Sequence, residues 1–190
     1  MTIGIYSGSY DPVHIGHTMV ASWIAQSGLV DRVWLLVSPL NPLKQDAAPH
    51  ATAAERMEML RIATCGDRRL HCDDIELHLP QPSYSYRTLC TLREMYPQHT
   101  FRLIVGSDNI RVFDRWKYPE RILSEFGVIV YPRPGYEVTE LPEGAVMADG
   151  CPVCDLSSTF IRRTIADGGD VRYYVPCNVA KYIEAHNLYR

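Results

Sequence analysis

Two histidines, His14 and His17, stand three residues apart at the end of the run Ser7-Gly8-Ser9-Tyr10-Asp11-Pro12-Val13-His14-Ile15-Gly16-His17. The run follows the apolar stretch Ile3-Gly4-Ile5-Tyr6 and precedes a helical pattern over Thr18–Gln26, so the first turn joins a buried strand to a helix. Gly8 lets a ligand approach the backbone closely. Pro12 fixes the direction of the chain, and Asp11 can close the turn on its own backbone. The helix start offers free N–H groups and a positive dipole end, which suit an anion. Histidines at i and i+3 on that first turn share a face, and neutral imidazoles can donate hydrogen bonds to phosphate oxygens. A single histidine near a helix start is ordinarily a cap or a surface residue. Two of them behind Gly-x-x-Asp-Pro point instead to phosphate. Neither G-x-G-x-x-G nor G-x-x-x-x-G-K-[ST] occurs, which excludes the dinucleotide-type turn and the P-loop.

A second anion-binding pattern lies late in the chain, at Leu156-Ser157-Ser158-Thr159-Phe160-Ile161-Arg162. Ser157, Ser158 and Thr159 supply hydroxyls at the start of a helix expected to run to Ala166, with Arg162 one turn in and able to reach the same anion. Standing alone, this would read as an ordinary cap with a surface arginine. Paired with the first turn, it reads as the other half of a polyphosphate site.

His14-Ile15-Gly16-His17 resembles the H-x-G-H signature of a nucleotidyltransferase superfamily, whose four letters class I aminoacyl-tRNA synthetases share. The late segment resembles the I-S-S-T-x-I-R stretch by which adenylyltransferases of that superfamily hold ATP. No K-M-S-K-S-type loop is present, and the length leaves no room for an anticodon-reading domain. Further pieces in order resemble the nicotinate (or nicotinamide) mononucleotide adenylyltransferase family: Asn41-Pro42-Leu43-Lys44, Pro82-Ser83-Tyr84-Ser85, Gly106-Ser107-Asp108-Asn109, Trp116 and Arg133-Pro134-Gly135-Tyr136. Ser7, Lys117 and Arg87 depart from the family's usual glycine, aromatic and acidic residues.

The resemblance implies joining of ATP to nicotinate mononucleotide in NAD synthesis, with Mg²⁺ carried mainly by the ATP phosphates and no metal site on the protein. It implies catalytic roles for His14, His17, Lys44 and Arg162. ATP would be held by Ser7, Gly8, Ser9, Tyr10, His14, His17, Ser157, Ser158, Thr159 and Arg162. The mononucleotide would meet Lys44, Ser85, Asp108, Trp116 and Arg133. A pantetheine-phosphate adenylyltransferase or a cytidylyltransferase would share His14, His17 and Arg162 without requiring Trp116, Ser85 or the Arg133 segment. A nucleotide sensor that binds without turnover is the alternative of another class.

The elements that must position these groups follow a strand–helix rhythm. Strands are expected at Ile3–Tyr6, Arg32–Val37, Leu70–Ile75, Phe101–Val105, Gly127–Val130 and Val153–Leu156. Helices are expected at Thr18–Gln26, Ala54–Ala63, Tyr84–Met95, Ser158–Ala166 and Pro176–His186. The alternation predicts an α/β fold, a doubly wound and mostly parallel sheet with helices on both faces. Ligands then bind beyond the carboxyl ends of the strands, where the strand order switches. The loop holding Pro39, Pro42 and Pro49 is expected to fold over substrate.

With 190 residues the length predicts one domain, residues 1–190. A net charge of −3 speaks against a nucleic-acid polymer as partner. No leader pattern and no apolar run of about 20 residues is visible, so no membrane partner and a cytoplasmic location are expected. The oligomeric state is not legible. Cys151-Pro152-Val153-Cys154 lacks further ligands for zinc and does not open a helix as a redox pair would. It reads as ordinary cysteines at a strand edge.

Overall fold

The computed structural model describes residues 1–39 and 50–190. Lys44, its Asn41-Pro42-Leu43 neighbours and most of the loop expected to cover substrate lie outside the described residues.

Six strands form one sheet: β1 (Thr2–Gly8), β2 (Arg32–Val37), β3 (Leu70–Asp73), β4 (Thr100–Gly106), β5 (Val128–Tyr131) and β6 (Ala145–Met147). Their order is β3-β2-β1-β4-β5-β6, and every pairing is parallel. The helices are α1 (Ile15–Ile24), α2 (Ala53–Thr64), α3 (Ile75–His78), α4 (Ser85–Met95), α5 (Ser107–Ile110), α6 (Pro119–Glu125), α7 (Ser158–Ala166) and α8 (Cys177–Ala185).

Side-chain alternation along the strands builds two cores. Val33, Leu35, Val37, Ile104 and Ile129 face one way and pack with α1, α2, α7 and α8. Ile3, Ile5, Leu36, Leu103, Val105, Val128 and Val130 face the other way, under α4 and α6. Strands covered on both faces read as continuous apolar runs, which is why β2 and β5 are legible without a polar–apolar alternation. Gly4 is required by packing, since a Cβ there would lie 2.7 Å from Cδ1 of Ile104.

Strand order reverses between β1 and β4, which are neighbours in the sheet and lead into different parts of the fold. The loops that leave their carboxyl ends part there and open a crevice.

Two expected strands are corrected. β3 stops at Asp73, because the Asp73 carboxylate accepts the Ile75 N–H at 2.8 Å and turns the chain into α3. Ile75 is buried as a helical residue, not as the end of a strand. No strand forms over 153–156: the place beside β5 belongs to Ala145–Met147, and Val153 is exposed. Cys151 and Cys154 are therefore not strand-edge residues.

Candidate active site

His14 is the residue just before α1, and His17 lies in its first turn. The His14 backbone N–H donates to His17 Nδ1 at 3.2 Å. The rings stack with centroids 3.7 Å apart. Accepting at Nδ1 leaves the proton of a neutral His17 on Nε2, as a donor free for a ligand. Burial, with the Arg133 guanidinium, pushes His14 down to about 4. Burial, His14 and Arg133 hold His17 well below its ordinary value. Both rings are thus neutral donors and acceptors at pH 7. His14 Nδ1 is buried and has no partner. Gly16 keeps this corner open, since a Cβ there would sit 3.0 Å from the His14 ring and 3.3 Å from Cys154 Sγ.

The late segment docks onto this turn. Ser157 caps α7, its hydroxyl accepting the Phe160 N–H at 3.2 Å. Ser158 Oγ donates to the Pro12 carbonyl at 3.0 Å, and Arg162 Nη1 to the Asp11 carbonyl at 2.8 Å. Arg162 Nη2 also reaches Thr159 Oγ1 at 3.3 Å. The start of α7 and the start of α1 therefore meet at the same turn.

The turn itself is braced from beneath. The Asp11 carboxylate accepts the N–H groups of His50 and Ala51 at 2.8 and 3.0 Å and the Tyr189 hydroxyl at 2.9 Å. Arg56, only 2% exposed, donates to the carbonyls of Ser9 and Ser38 at 2.6 and 2.7 Å. This ties the loop after β1 to the end of β2.

Beside the turn, a cleft of about 180 Å³ opens over the ends of β1 and β4, bounded by Ser7, Gly8, Ser9, Ser85, Asn109 and Trp116 among others. Ser83 Oγ and Trp116 Nε1 are buried there without partners. At the cleft wall Glu76 accepts hydroxyls from Ser7 at 2.8 Å and Thr88 at 3.1 Å. Burial pushes its carboxyl up, against those hydrogen bonds and one from Ser38. A smaller recess adjoins, lined by His14, His17, Arg133 and Cys154, and Tyr6 and Tyr131 line both spaces.

Of the sequence-predicted residues, Ser7, Gly8, Ser9, Ser85 and Trp116 line the cleft, His14, His17 and Arg133 line the recess, and Ser158 and Arg162 dock on the turn beside them. The Tyr10 ring is 1% exposed, its hydroxyl donates to the Tyr6 carbonyl at 2.6 Å, and it packs edge-on to His17. Its side chain is spent on holding the histidine. Arg133 borders the recess of the histidines, with Asp108 Oδ1 at 3.9 Å from its Nε. Gly106 makes room for this pair, because a Cβ there would lie 2.8 Å from Arg133 Cδ and would collide with the Asp108 carboxylate.

Sequence reasoning missed Tyr6, Tyr131, Glu76, Asn109 and Arg56. Tyr6 and Tyr131 end apolar strand runs, Arg56 looks like a solvated helix residue, and Glu76 looks like a solvated charge after a strand. Asn109 alone carried a signal, as part of Gly106-Ser107-Asp108-Asn109.

Among the described residues no group of three or more His, Cys, Asp or Glu is placed to hold a metal ion. No described helix is long and apolar enough to cross a membrane.

Residues 5–164 match the model of a family described as cytidylyltransferase-like. The probable nicotinate-nucleotide adenylyltransferase of Bacteroides fragilis is 44% identical, over 95% of this chain and 90% of that one. Its counterpart in Flavobacterium johnsoniae is 36% identical over the whole of both chains. The solved structure of Plasmodium falciparum nicotinic acid mononucleotide adenylyltransferase, complexed with NaAD, superimposes with a TM-score of 0.81. It covers 99% of this chain and 97% of that one at 22% identity, a likeness of fold.

Proposed function

The chain belongs to the cytidylyltransferase-like family, and from that premise we infer that it is the adenylyltransferase that joins ATP to nicotinate mononucleotide in NAD synthesis. A 5′-phosphate oxygen of the mononucleotide attacks the α-phosphorus of ATP in line. The new P–O bond forms as the bond to pyrophosphate breaks. The attacking phosphate is already ionised near neutral pH, so no general base is needed. What the protein supplies is alignment and preorganised hydrogen bonds to the reacting oxygens.

One observation carries the reading: Ser158 and Arg162 hydrogen-bond the carbonyls of Pro12 and Asp11. The two phosphate-type segments, far apart in sequence, thus meet at one turn beside the larger cleft. His14 and His17 face the triphosphate, with the Nε2 donor of His17 beside the α-phosphate. Ser7, Gly8 and Ser9 offer backbone at the junction. Ser157, Ser158, Thr159 and Arg162 hold the tail, and Lys44 joins Arg162 on the β and γ phosphates. Trp116 stacks on the nicotinate ring, Ser85 contacts the ring carboxylate region, and Asp108 takes the ribose. Arg133, beside the histidines, receives the mononucleotide phosphate.

Mg²⁺ would be carried by the phosphate oxygens of the nucleotide and is assigned no step. Six free cysteines accord with a reducing, cytoplasmic setting.

The deciding experiment measures pyrophosphate release with ATP plus nicotinate mononucleotide, nicotinamide mononucleotide or phosphopantetheine, and with CTP plus phosphocholine. Nicotinate mononucleotide should give the highest kcat/KM. Turnover confined to phosphopantetheine or to CTP would overturn the assignment, and tight ATP binding without turnover of any acceptor would mark a sensor.

A further inference from the structure

Tyr6 on β1 and Tyr131 on β5 share a hydrogen bond of 3.1 Å between their hydroxyls, with rings edge to face at 5.6 Å. Their side chains form part of the wall between the larger cleft and the histidine recess. They are 5% and 8% exposed, and burial holds both phenols neutral, above their ordinary range. Packing alone would be served by phenylalanine at either position. The two hydroxyls therefore call for a polar explanation.

Counting hydrogen-bond capacity supplies one. Tyr6 donates to the Tyr131 oxygen, and the Arg133 guanidinium is a neighbouring positive charge. The bond between the two hydroxyls uses the Tyr6 proton and leaves that of Tyr131. That proton has no acceptor among the described residues, and buried donors are rarely left unpaired. The donor lies on the wall that the reacting phosphates must straddle.

We propose that the Tyr131 hydroxyl, oriented by Tyr6, donates a hydrogen bond to the phosphoryl oxygens at the point where acceptor phosphate and ATP α-phosphate meet. This rests on the adenylyl-transfer reading of the site. As the acceptor oxygen bonds to the α-phosphorus and pyrophosphate leaves, charge builds on the non-bridging oxygens. A donor fixed in advance stabilises that charge without reorganising. The phenol keeps its proton throughout. Tyr6 is a positioning residue, since its hydroxyl acts through that of Tyr131.

The test compares Tyr131→Phe and Tyr6→Phe with the unaltered protein. It reads kcat and KM for ATP and for nicotinate mononucleotide by pyrophosphate release, with thermal midpoints alongside. Tyr131→Phe should lower kcat about tenfold to a hundredfold, with both KM values within about threefold. Tyr6→Phe should cost only a few-fold, because Tyr131 keeps its proton. A Tyr131→Phe protein within about twofold of normal kcat would overturn the proposal. So would losses in both variants that simply follow their thermal midpoints.

Should Tyr131→Phe fail to fold, 3,5-difluorotyrosine at position 131 keeps the packing and the hydroxyl while acidifying the phenol. The kcat should then fall at an alkaline pH where the unaltered protein is still active. An unmoved pH profile would overturn the proposal equally. If the unaltered protein forms no dinucleotide at all, the adenylyl-transfer reading fails. If it does and the variants match it, only the donor role fails.

Discussion

His17 Nδ1 accepts the backbone N–H of His14 at 3.2 Å, and the two imidazoles stack face to face. The bond fixes which nitrogen of His17 carries the proton, and the stack fixes where that proton points. His17→Ala should lower kcat by about 10²–10³, as loss of one preorganised donor does. The thermal midpoint should stay within a few degrees. Near-normal turnover with normal ATP affinity would remove His17 from the reacting phosphate.

The same burial makes His14 a source of acid sensitivity. Its folded pKa of about 4 lies below the ordinary 6.5 of an exposed imidazole, so the unfolded chain binds the proton first. The stability it contributes is fully present above pH 6.5, is lost as pH falls through that window, and levels off below about 4. The loss amounts to roughly 3 kcal/mol. Urea midpoints at pH 7.5 and 4.5 should show it, and His14→Gln should flatten part of the slope. An equal slope in the variant would place the acid sensitivity elsewhere.

Arg56 holds two carbonyls from one buried guanidinium. Arg56→Met keeps much of the volume and leaves both oxygens without that donor. It should destabilise the fold by about 2–4 kcal/mol and raise KM for ATP, because the freed Ser9 carbonyl belongs to the turn after β1. Denaturant titration and initial rates check the two effects separately, and unchanged stability would contradict the bracing role.

Trp116 borders the larger cleft, away from the docked start of α7. Trp116→Ala should raise KM for nicotinate mononucleotide about twofold to tenfold from lost stacking alone, and further with lost burial. KM for ATP should hold. A rise confined to ATP would move the indole to the other substrate.

Legibility followed the length scale of the forces involved. Turn chemistry and capping are local, so the Ser7–His17 turn and the Ser157 cap could be read from neighbouring letters, and the bounds of β2 and α7 come out as expected. The parallel architecture was legible because strands buried on both faces stay apolar throughout. Val153–Leu156 misled because edge position is decided by which segment reaches β5 first, and the short Ala145–Met147 does. Leu70–Ile75 misled because a single Asp73 side chain ends the strand.

The hidden part of the crevice was non-local. Nothing in the sequence shows that the Tyr6 hydroxyl meets that of Tyr131, or that Glu76 receives Ser7. A buried arginine and a buried glutamate in helices look like any solvated charge until their partners are seen.

Tyr189, next to last in this sequence, ends on the carboxylate that braces the first turn. Loss of that phenol, as in Tyr189→Phe, would therefore be felt in the loop after β1, although the two lie at opposite ends of this sequence.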